Sequence, residues 1–213
     1  MILSDLPESA INELKTLAAE QILDITDPRV TGSMFYKAIQ TEDVLSVSAL
    51  NLLPETLLLV VKIAATSHTL NTVMFCAKLG ENAPAIAAAL ATSNSIHTVG
   101  MSGNDLGIYG PATASNLATS NSIHTVGMSG NDLGIYGPAT AVALVSSNTI
   151  HTVDMRANDL AENYPATKAV FDDHNAQIVD KAVLIKLLGH EMVLNQDVVD
   201  ILGTYMTDID FHL

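Results

Sequence analysis

The stretch Leu90–Ala114, LATSNSIHTVGMSGNDLGIYGPATA, recurs without a single change at Leu117–Ala141. The two copies start 27 residues apart, so the chain contains a duplicated unit with a fixed period. A period of roughly 20–50 residues is typical of proteins in which each repeat forms one structural unit that stacks on the next. The duplication therefore predicts a stack of equivalent units.

Diverged copies of the unit lie on both sides of the duplication. Downstream, Ile150–Leu160 keeps the same spacing and the same order of residue types. Upstream, Leu70–Phe75 and Pro84 repeat the theme one residue shorter, and the faintest copy begins at Val44. The repeat region is therefore predicted to cover residues 44–176.

Each unit carries the pattern L-x-x-L-x-L-x-x-N-x-L, where L stands for an aliphatic residue. Val99 and Met101 alternate with small or polar residues, which predicts a strand with one buried face. Pro111 and the apolar stripe Ala114–Ala118 predict a helix that begins near the proline. A strand and a helix in every unit predict a parallel sheet backed by helices. The pattern residues of the three clearest units are Ile96, Val99, Met101, Asn104 and Leu106; Ile123, Val126, Met128, Asn131 and Leu133; and Ile150, Val153, Met155, Asn158 and Leu160.

The pattern resembles the leucine-rich repeat, in the long, helix-containing class typified by ribonuclease inhibitor. The resemblance implies an α/β fold: a leucine-rich repeat solenoid that forms a short right-handed horseshoe arc, with a parallel concave sheet and convex helices. It also implies that Asn104, Asn131 and Asn158 stack as a ladder that bonds the backbone of the loops. The second unit departs from the family, because Lys78 or Leu79 stands where the asparagine belongs.

The segments before and after the repeats are predicted to be helical caps, because the end of an open solenoid exposes its apolar interior. Residues 1–43 form the N-terminal cap, with a helix opened by Ser4, Pro7 and Glu8. Residues 177–213 form the C-terminal cap. Its predicted helices lie around Ile178–Leu188 and Asn195–Met206, and they follow a last unit in which Lys168, Phe171 and Asp172 interrupt the aliphatic stripe.

The composition excludes several functional classes. The 213 residues are 48% apolar, which excludes a disordered chain, and 23 acidic residues outnumber 9 basic ones. A net charge of −14 argues against binding to nucleic acid or anionic membranes, both of which need a basic patch. The single cysteine, Cys76, excludes an internal disulfide and fits a reducing compartment. The longest apolar run, Leu57–Ala65, is too short to span a bilayer, and no signal peptide is visible, which favours a cytoplasmic protein.

The outward-facing strand residues are expected to form columns, because neighbouring strands lie about 4.8 Å apart. A flat face of small residues suits a protein segment better than a small molecule. Asp154 and Arg156 replace the glycine and serine of earlier units, which points to the C-terminal half of this face as the partner site. The columns are Thr72, Thr98, Thr125 and Thr152; Met74, Gly100, Gly127 and Asp154; and Cys76, Ser102, Ser129 and Arg156.

His97, His124 and His151 form a further column at the strand starts, and we count them among the predicted partner-binding residues. Their spacing does not close a tetrahedral metal site, so no metal or cofactor is predicted, and each imidazole is expected to bond within its own turn. Tyr109 and Tyr136 lie at the loop edge, either as interface anchors or packed against the next unit's loop.

The sequence predicts a binding module rather than an enzyme, since no phosphate-cradling loop, nucleophile elbow or metal motif is present. Members of this repeat class generally bind proteins, and some inhibit an enzyme by covering its active site. The acidic ends favour a protein partner with a basic surface.

The chain also looks like the leucine-rich-repeat effectors that intracellular bacteria deliver into host cells. Phe211, with Asp208 and Asp210, is compatible with a C-terminal translocation signal, and delivery would then need no signal peptide. The alternative is a ubiquitin-ligase adaptor, because Leu6–Leu14 and Asp27-Pro28 faintly resemble the opening of an F-box.

Overall fold

The computed structural model describes residues 1–48, 52–176 and 210–212. The chain is α/β, and its strands form one parallel sheet in the order of the sequence. The prediction of an α/β fold with a parallel sheet is therefore confirmed. The strands are β1 Val44–Ser48, β2 Thr72–Cys76, β3 Thr98–Gly100, β4 Thr125–Gly127, β5 Thr152–Asp154 and β6 Asp210–His212.

A helix stands between consecutive strands from β1 to β5, and neighbouring helices pack against one another. Proline near the first helical position opens these four helices, at Pro54, Pro84, Pro111 and Pro138, which confirms the prediction made for Pro111. The helices are α1 Glu8–Ala19, α2 Pro28–Gly32, α3 Met34–Ile39, α4 Pro54–Ala65, α5 Ala83–Leu90, α6 Gly110–Leu117 and α7 Gly137–Val145, and residues 164–176 are also helical.

The register of the sheet follows the sequence repeat. Thr98 pairs with Thr125, and Thr125 pairs with Thr152, each 27 residues on. The shorter unit gives a 26-residue offset from Thr72 to Thr98. From Val44 to Thr72 the offset is 28, outside the predicted 26–27, and the intervening helix α4 has 12 residues whereas α5 has 8.

The buried side of the sheet and the inner sides of the helices share one apolar core. Val99 and Val126 from the strands and Leu117 and Leu144 from the helices are completely buried. Phe171 is completely buried as well, one period after Leu144. The expected interruption is therefore wrong at Phe171, whose phenyl ring takes the aliphatic position, but it is confirmed at Lys168 and Asp172, which are exposed and pair on the outside.

A row of serines links the units before each strand. Ser120 Oγ accepts bonds from the backbone N–H groups of Ser122 and Ile123, at 3.1 Å each. Ser122 Oγ in turn donates to the carbonyl of Ser93, in the preceding unit, at 2.7 Å. Because the motif recurs around Ser67, Ser93 and Ser147, it pairs polar backbone groups at the ends of α4, α5, α6 and α7.

The asparagine ladder links the units after each strand. Asn131 is completely buried; its Oδ1 accepts from the backbone N–H of Asn104 at 2.7 Å, and its Nδ2 donates to the carbonyl of Met101 at 2.8 Å. Asn158 Oδ1 accepts from Asn131 N–H in the same way, at 2.8 Å, and Asn104 Oδ1 accepts from Ala77 N–H at 2.9 Å. The predicted burial and backbone bonding of these asparagines are confirmed.

The ladder corrects the alignment of the second unit. Ala77 makes the bond that Asn104 and Asn131 make in their units, so Ala77 stands at the asparagine position, and the assignment of Lys78 or Leu79 is wrong. Lys78 adopts a positive φ of 50°, as Asp105 does with 55°. The second unit is shorter because it lacks an equivalent of Gly103, which shifts every later residue by one.

The two loop glycines differ in what they require. Gly107 has a φ of +41°, a conformation that favours glycine, so this position requires backbone freedom. Gly110 is helical, with a φ of −52°, and its requirement is space. A Cβ at Gly110 would lie 2.4 Å from Cδ2 of Leu133, so a larger residue does not fit there without a shift of that side chain.

The N-terminal segment is helical, as predicted. Its helix α1 begins after Pro7 and packs against α4, and its apolar side chains Ile11 and Leu14 belong to the same core as the repeats. Ile2 also forms a parallel bridge to Ser46 beside β1. The domain boundaries predicted at residues 43 and 176 stay predictions.

The predicted helices Ile178–Leu188 and Asn195–Met206 lie outside the described residues. Residues 210–212 form strand β6, which pairs in parallel with β5 through Val153 and Phe211. Part of the C-terminal segment therefore extends the sheet, beyond the two predicted helices, which stay predictions.

Candidate protein-binding face

The predicted outward columns lie side by side in the sheet. Strand pairing places Met74 beside Gly100, Gly100 beside Gly127, and Gly127 beside Asp154. Each of these residues flanks a buried valine, so its side of the strand faces away from the core. We call this surface the open face; its members are Thr72, Thr98, Thr125 and Thr152; Met74, Gly100, Gly127 and Asp154; and Cys76, Ser102, Ser129 and Arg156.

The open face is accessible at its N-terminal strands. Met74 is 45% exposed and Cys76 is exposed. Further along, Ser129 Oγ donates to Ser102 Oγ at 2.8 Å, which gives the third column a continuous polar edge. Parallel sheets are normally covered on both sides, whereas here the described residues cover only one. Within residues 1–48 and 52–176, the exposure of Met74 therefore marks a sheet surface that no other element covers.

The glycines of the open face are not required by the backbone. Gly127 lacks a positive φ, and a Cβ added to it would meet Ser102 Oγ at 3.6 Å, an ordinary contact. Met74 and Asp154 occupy the same column on other strands. The middle of the face is therefore flat although the fold accommodates larger side chains there.

Asp154 and Arg156 pair with each other. The guanidinium donates to both carboxylate oxygens, at 3.0 and 2.8 Å, and the bond to Asp154 raises the pKa of Arg156. Asp27 and Arg29 form the same two-residue fork elsewhere, at 3.1 and 3.0 Å. Because the pair neutralises itself and recurs as a local motif, its presence on the open face does not require a partner to explain it.

The three histidines stack along the edge of the open face. The ring centroids of His97 and His124 lie 5.0 Å apart, and those of His124 and His151 lie 5.2 Å apart. His97 Nδ1 bonds Asn71 Nδ2 of the preceding unit at 3.2 Å, so the expectation of bonding within its own turn is wrong for this residue. Burial, and then the neighbouring imidazoles, lower the pKa of His124. Among the described residues no group of three or more histidine, cysteine or acidic side chains is arranged to hold a metal ion.

Two exposed isoleucines were not predicted as functional residues. Ile108 is 60% exposed and Ile135 is 67% exposed, in the loops between strand and helix. Tyr109, beside the first of them, is 37% exposed, whereas Tyr136 is half-buried. A comparison of the units in the sequence could have identified these two isoleucines, because the units on either side carry glutamate at the same position.

In the part of the chain that the structure describes, every helix is too short or too polar to cross a membrane. Comparison with protein-family models, with curated proteins and with solved structures gives no match for this chain.

Proposed function

We propose that this chain is a leucine-rich-repeat protein of the ribonuclease-inhibitor-like class that binds a protein segment on its open face. The repeat assignment is supported by the asparagine ladder, in which the side chain of each unit bonds the backbone of its neighbour. It is also supported by the sequential parallel sheet with a helix after each strand.

The observation that carries the binding proposal is the accessible sheet surface around Gly127. Strand pairing and the packing of the core need no side chain at Gly127, and yet larger residues fit the same column of the sheet. A flat, rigid strip of small residues lets an extended polypeptide approach closely, while Met74 supplies an adaptable apolar contact at one end.

The partner is proposed to present a basic surface. The Asp154–Arg156 fork contributes no net charge to the face, so the proposed attraction depends on the acidic excess of the C-terminal part of the chain. Residues 142–213 hold eleven acidic and four basic residues. Such a field increases the association rate of a basic partner and weakens with salt.

The resemblance to bacterial effectors extends the proposal to a host-cell protein as partner, including an enzyme that the module inhibits by covering it. This extension rests on the sequence resemblance alone. Strand β6 contains two residues of the proposed translocation signal, Asp210 and Phe211. Both are paired with β5, so they do not extend away from the sheet. Asp208 lies outside the described residues.

Residues Leu6–Leu14 do not favour an F-box adaptor. Ile11 and Leu14, the apolar residues of that segment, are 7% and 1% exposed because they pack in the chain's own core. Asp27-Pro28 has a local role as well, since Asp27 caps α2 by accepting from Arg29 N–H at 2.8 Å. A ligase subunit would have to displace these contacts, which argues against the adaptor function.

The test places a long side chain on the open face and, as a control, on the helical side of the same unit. Gly127→Lys fills the middle of the face, whereas Ala139→Lys adds the same group to an exposed position of α7. Both variants carry the same charge, so they differ only in location. We expect immobilised wild type and Ala139→Lys to retain the same protein from a eukaryotic cell lysate and Gly127→Lys to lose it. Equal retention by all three proteins would contradict the proposal.

A further inference from the structure

Four short helical turns follow the asparagine ladder and form a second surface, the loop ridge. They are Gly80–Asn82, Gly107–Tyr109, Gly134–Tyr136 and Ala161–Asn163, and each contacts the next. The first residue of a turn donates its N–H to the carbonyl of the ladder position of the next unit. These bonds are 3.0 Å from Gly80 to Asn104, 2.9 Å from Gly107 to Asn131 and 3.0 Å from Gly134 to Asn158.

The second position of each turn points out of the ridge. It holds Glu81, Ile108, Ile135 and Glu162 in the four turns, and all four side chains are exposed. The fold accepts glutamate at this position in two units, so burial in the core does not require the isoleucines. Two adjacent aliphatic side chains, 60% and 67% exposed on a backbone fixed by hydrogen bonds, form a preorganised apolar contact site.

Acidic side chains surround the two isoleucines. Glu81 and Glu162 stand at the ends of the row. The position just after the ladder asparagine adds three exposed aspartates, Asp105, Asp132 and Asp159. Lys78 is the only basic residue in the loop segments 77–82, 103–109, 130–136 and 157–163, where it stands against these five carboxylates.

We propose that the loop ridge binds a basic protein segment in which aliphatic side chains alternate with lysine or arginine. The aliphatic groups would pack on Ile108 and Ile135 with Tyr109 beside them, and the cations would face the five carboxylates. Charge complementarity selects this occupant over an acidic or neutral one. The site is separate from the open face, because its residues follow the ladder whereas those of the open face lie in the strands or directly after them.

The test uses the full chain and the synthetic peptide KKLKLKK, whose two leucines lie on one side of an extended backbone. The matched peptide KKSKSKK keeps the charge and removes the apolar groups. The protein variant is Ile108→Glu with Ile135→Glu, which copies the native residues Glu81 and Glu162 and is therefore expected to fold. We expect wild type to bind KKLKLKK about tenfold or more tightly than KKSKSKK in fluorescence anisotropy, and the double variant to lose that preference.

The direction in which the double variant changes the affinity for KKLKLKK distinguishes an apolar contact site from attraction by charge alone. The double variant gains two negative charges, so a purely electrostatic surface would bind KKLKLKK more tightly than wild type does. Tighter or unchanged binding would therefore overturn the proposal. Concentration-dependent dimerisation of wild type that the double variant abolishes, without any preference between the two peptides, would overturn it in favour of a second copy of this chain. Gly127→Lys is expected to leave the preference for KKLKLKK over KKSKSKK unchanged, because its added charge affects both peptides equally, so this test is independent of the open face.

Discussion

Replacing Asn131 by alanine removes the central member of the asparagine ladder. The side chain is completely buried, and its loss leaves the backbone N–H of Asn104 without its 2.7 Å acceptor. The carbonyls of Met101 and Met128 lose donors at 2.8 and 2.9 Å. The carbonyl of Ser129 loses a longer bond, at 3.4 Å, so four backbone groups from two units lose a hydrogen bond at once, although the Met128 carbonyl keeps a donor in Asn158 Nδ2 at 2.9 Å.

The expected loss of stability follows from these contacts. A buried N–H without a partner costs about 1–3 kcal/mol, and each of the two short bonds contributes about 0.5–1.5 kcal/mol. Because effects within one network do not add in full, we expect Asn131→Ala to lower the free energy of unfolding by about 2–4 kcal/mol. For a chain of this size, each kcal/mol lowers Tm by about 2–4 °C.

Urea denaturation followed by circular dichroism measures this loss. The control is Asn121→Ala, which removes the same side chain from an exposed position of the same unit and should change stability by less than about 0.5 kcal/mol. Asn104→Ala should fall between the two, because the N–H that it orphans belongs to Ala77, which is only half-buried. If Asn131→Ala and Asn121→Ala unfold at the same urea concentration, the ladder does not stabilise the repeats and the reasoning is refuted.

Two further predictions concern the histidine column and the charged fork. Because the pKa of His124 in the folded protein lies below its ordinary 6.5, the unfolded chain binds more protons in this range. Stability should then be full above about pH 6.5 and fall as the pH drops below it. Thermal melts at pH 8 and pH 5.5 should show a smaller decrease in Tm at the lower pH for His124→Asn, which copies Asn71, than for wild type. An equal decrease in Tm for both proteins would contradict the assignment to His124. Asp154→Gly with Arg156→Ser copies the preceding unit and removes an exposed ion pair, so it should change the free energy of unfolding by no more than about 1 kcal/mol in urea denaturation. A larger loss would show that the fork is part of the fold.

The duplicated unit made the register of the sheet predictable. Identical residues repeated every 27 positions can satisfy identical environments only if Thr98 and Thr125 are paired, and the structure pairs them. The ladder asparagines were predictable for the same reason, since a polar residue inside an aliphatic pattern needs a regular set of backbone partners.

Positions at which the units differ in length or size could not be placed in this way. Deletion of one residue in the second unit moved Ala77 into the ladder, and sequence spacing alone did not show where the deletion lies. Phe171 substitutes for an aliphatic residue through its volume, which a pattern of residue types does not measure. Strand β6 has three residues within a short segment in which Ile209, Phe211 and Leu213 alternate with polar residues, and this strand signal was interpreted as a translocation signal instead.

The sequence predicted which residues form the columns of the candidate site, but it did not predict which of them favour partner binding. The sequence identified the open-face residues, but it attributed partner binding to Asp154 and Arg156 because their mutual pairing is visible only in three dimensions. The exposed isoleucines at 108 and 135 were missed, because aliphatic residues are assigned to the core when exposure is unknown.

The reactivity of Cys76 tests the open-face proposal most directly. This single cysteine is exposed at one end of the face, so its alkylation by iodoacetamide reports coverage of the face without any substitution. The measurement compares the alkylation rate of the free chain with that of the chain saturated with the protein it retains from lysate. Our account predicts that the bound partner slows alkylation at least about tenfold, by excluding the reagent from the face. An alkylation rate that is the same in the free chain and in the saturated complex would contradict it.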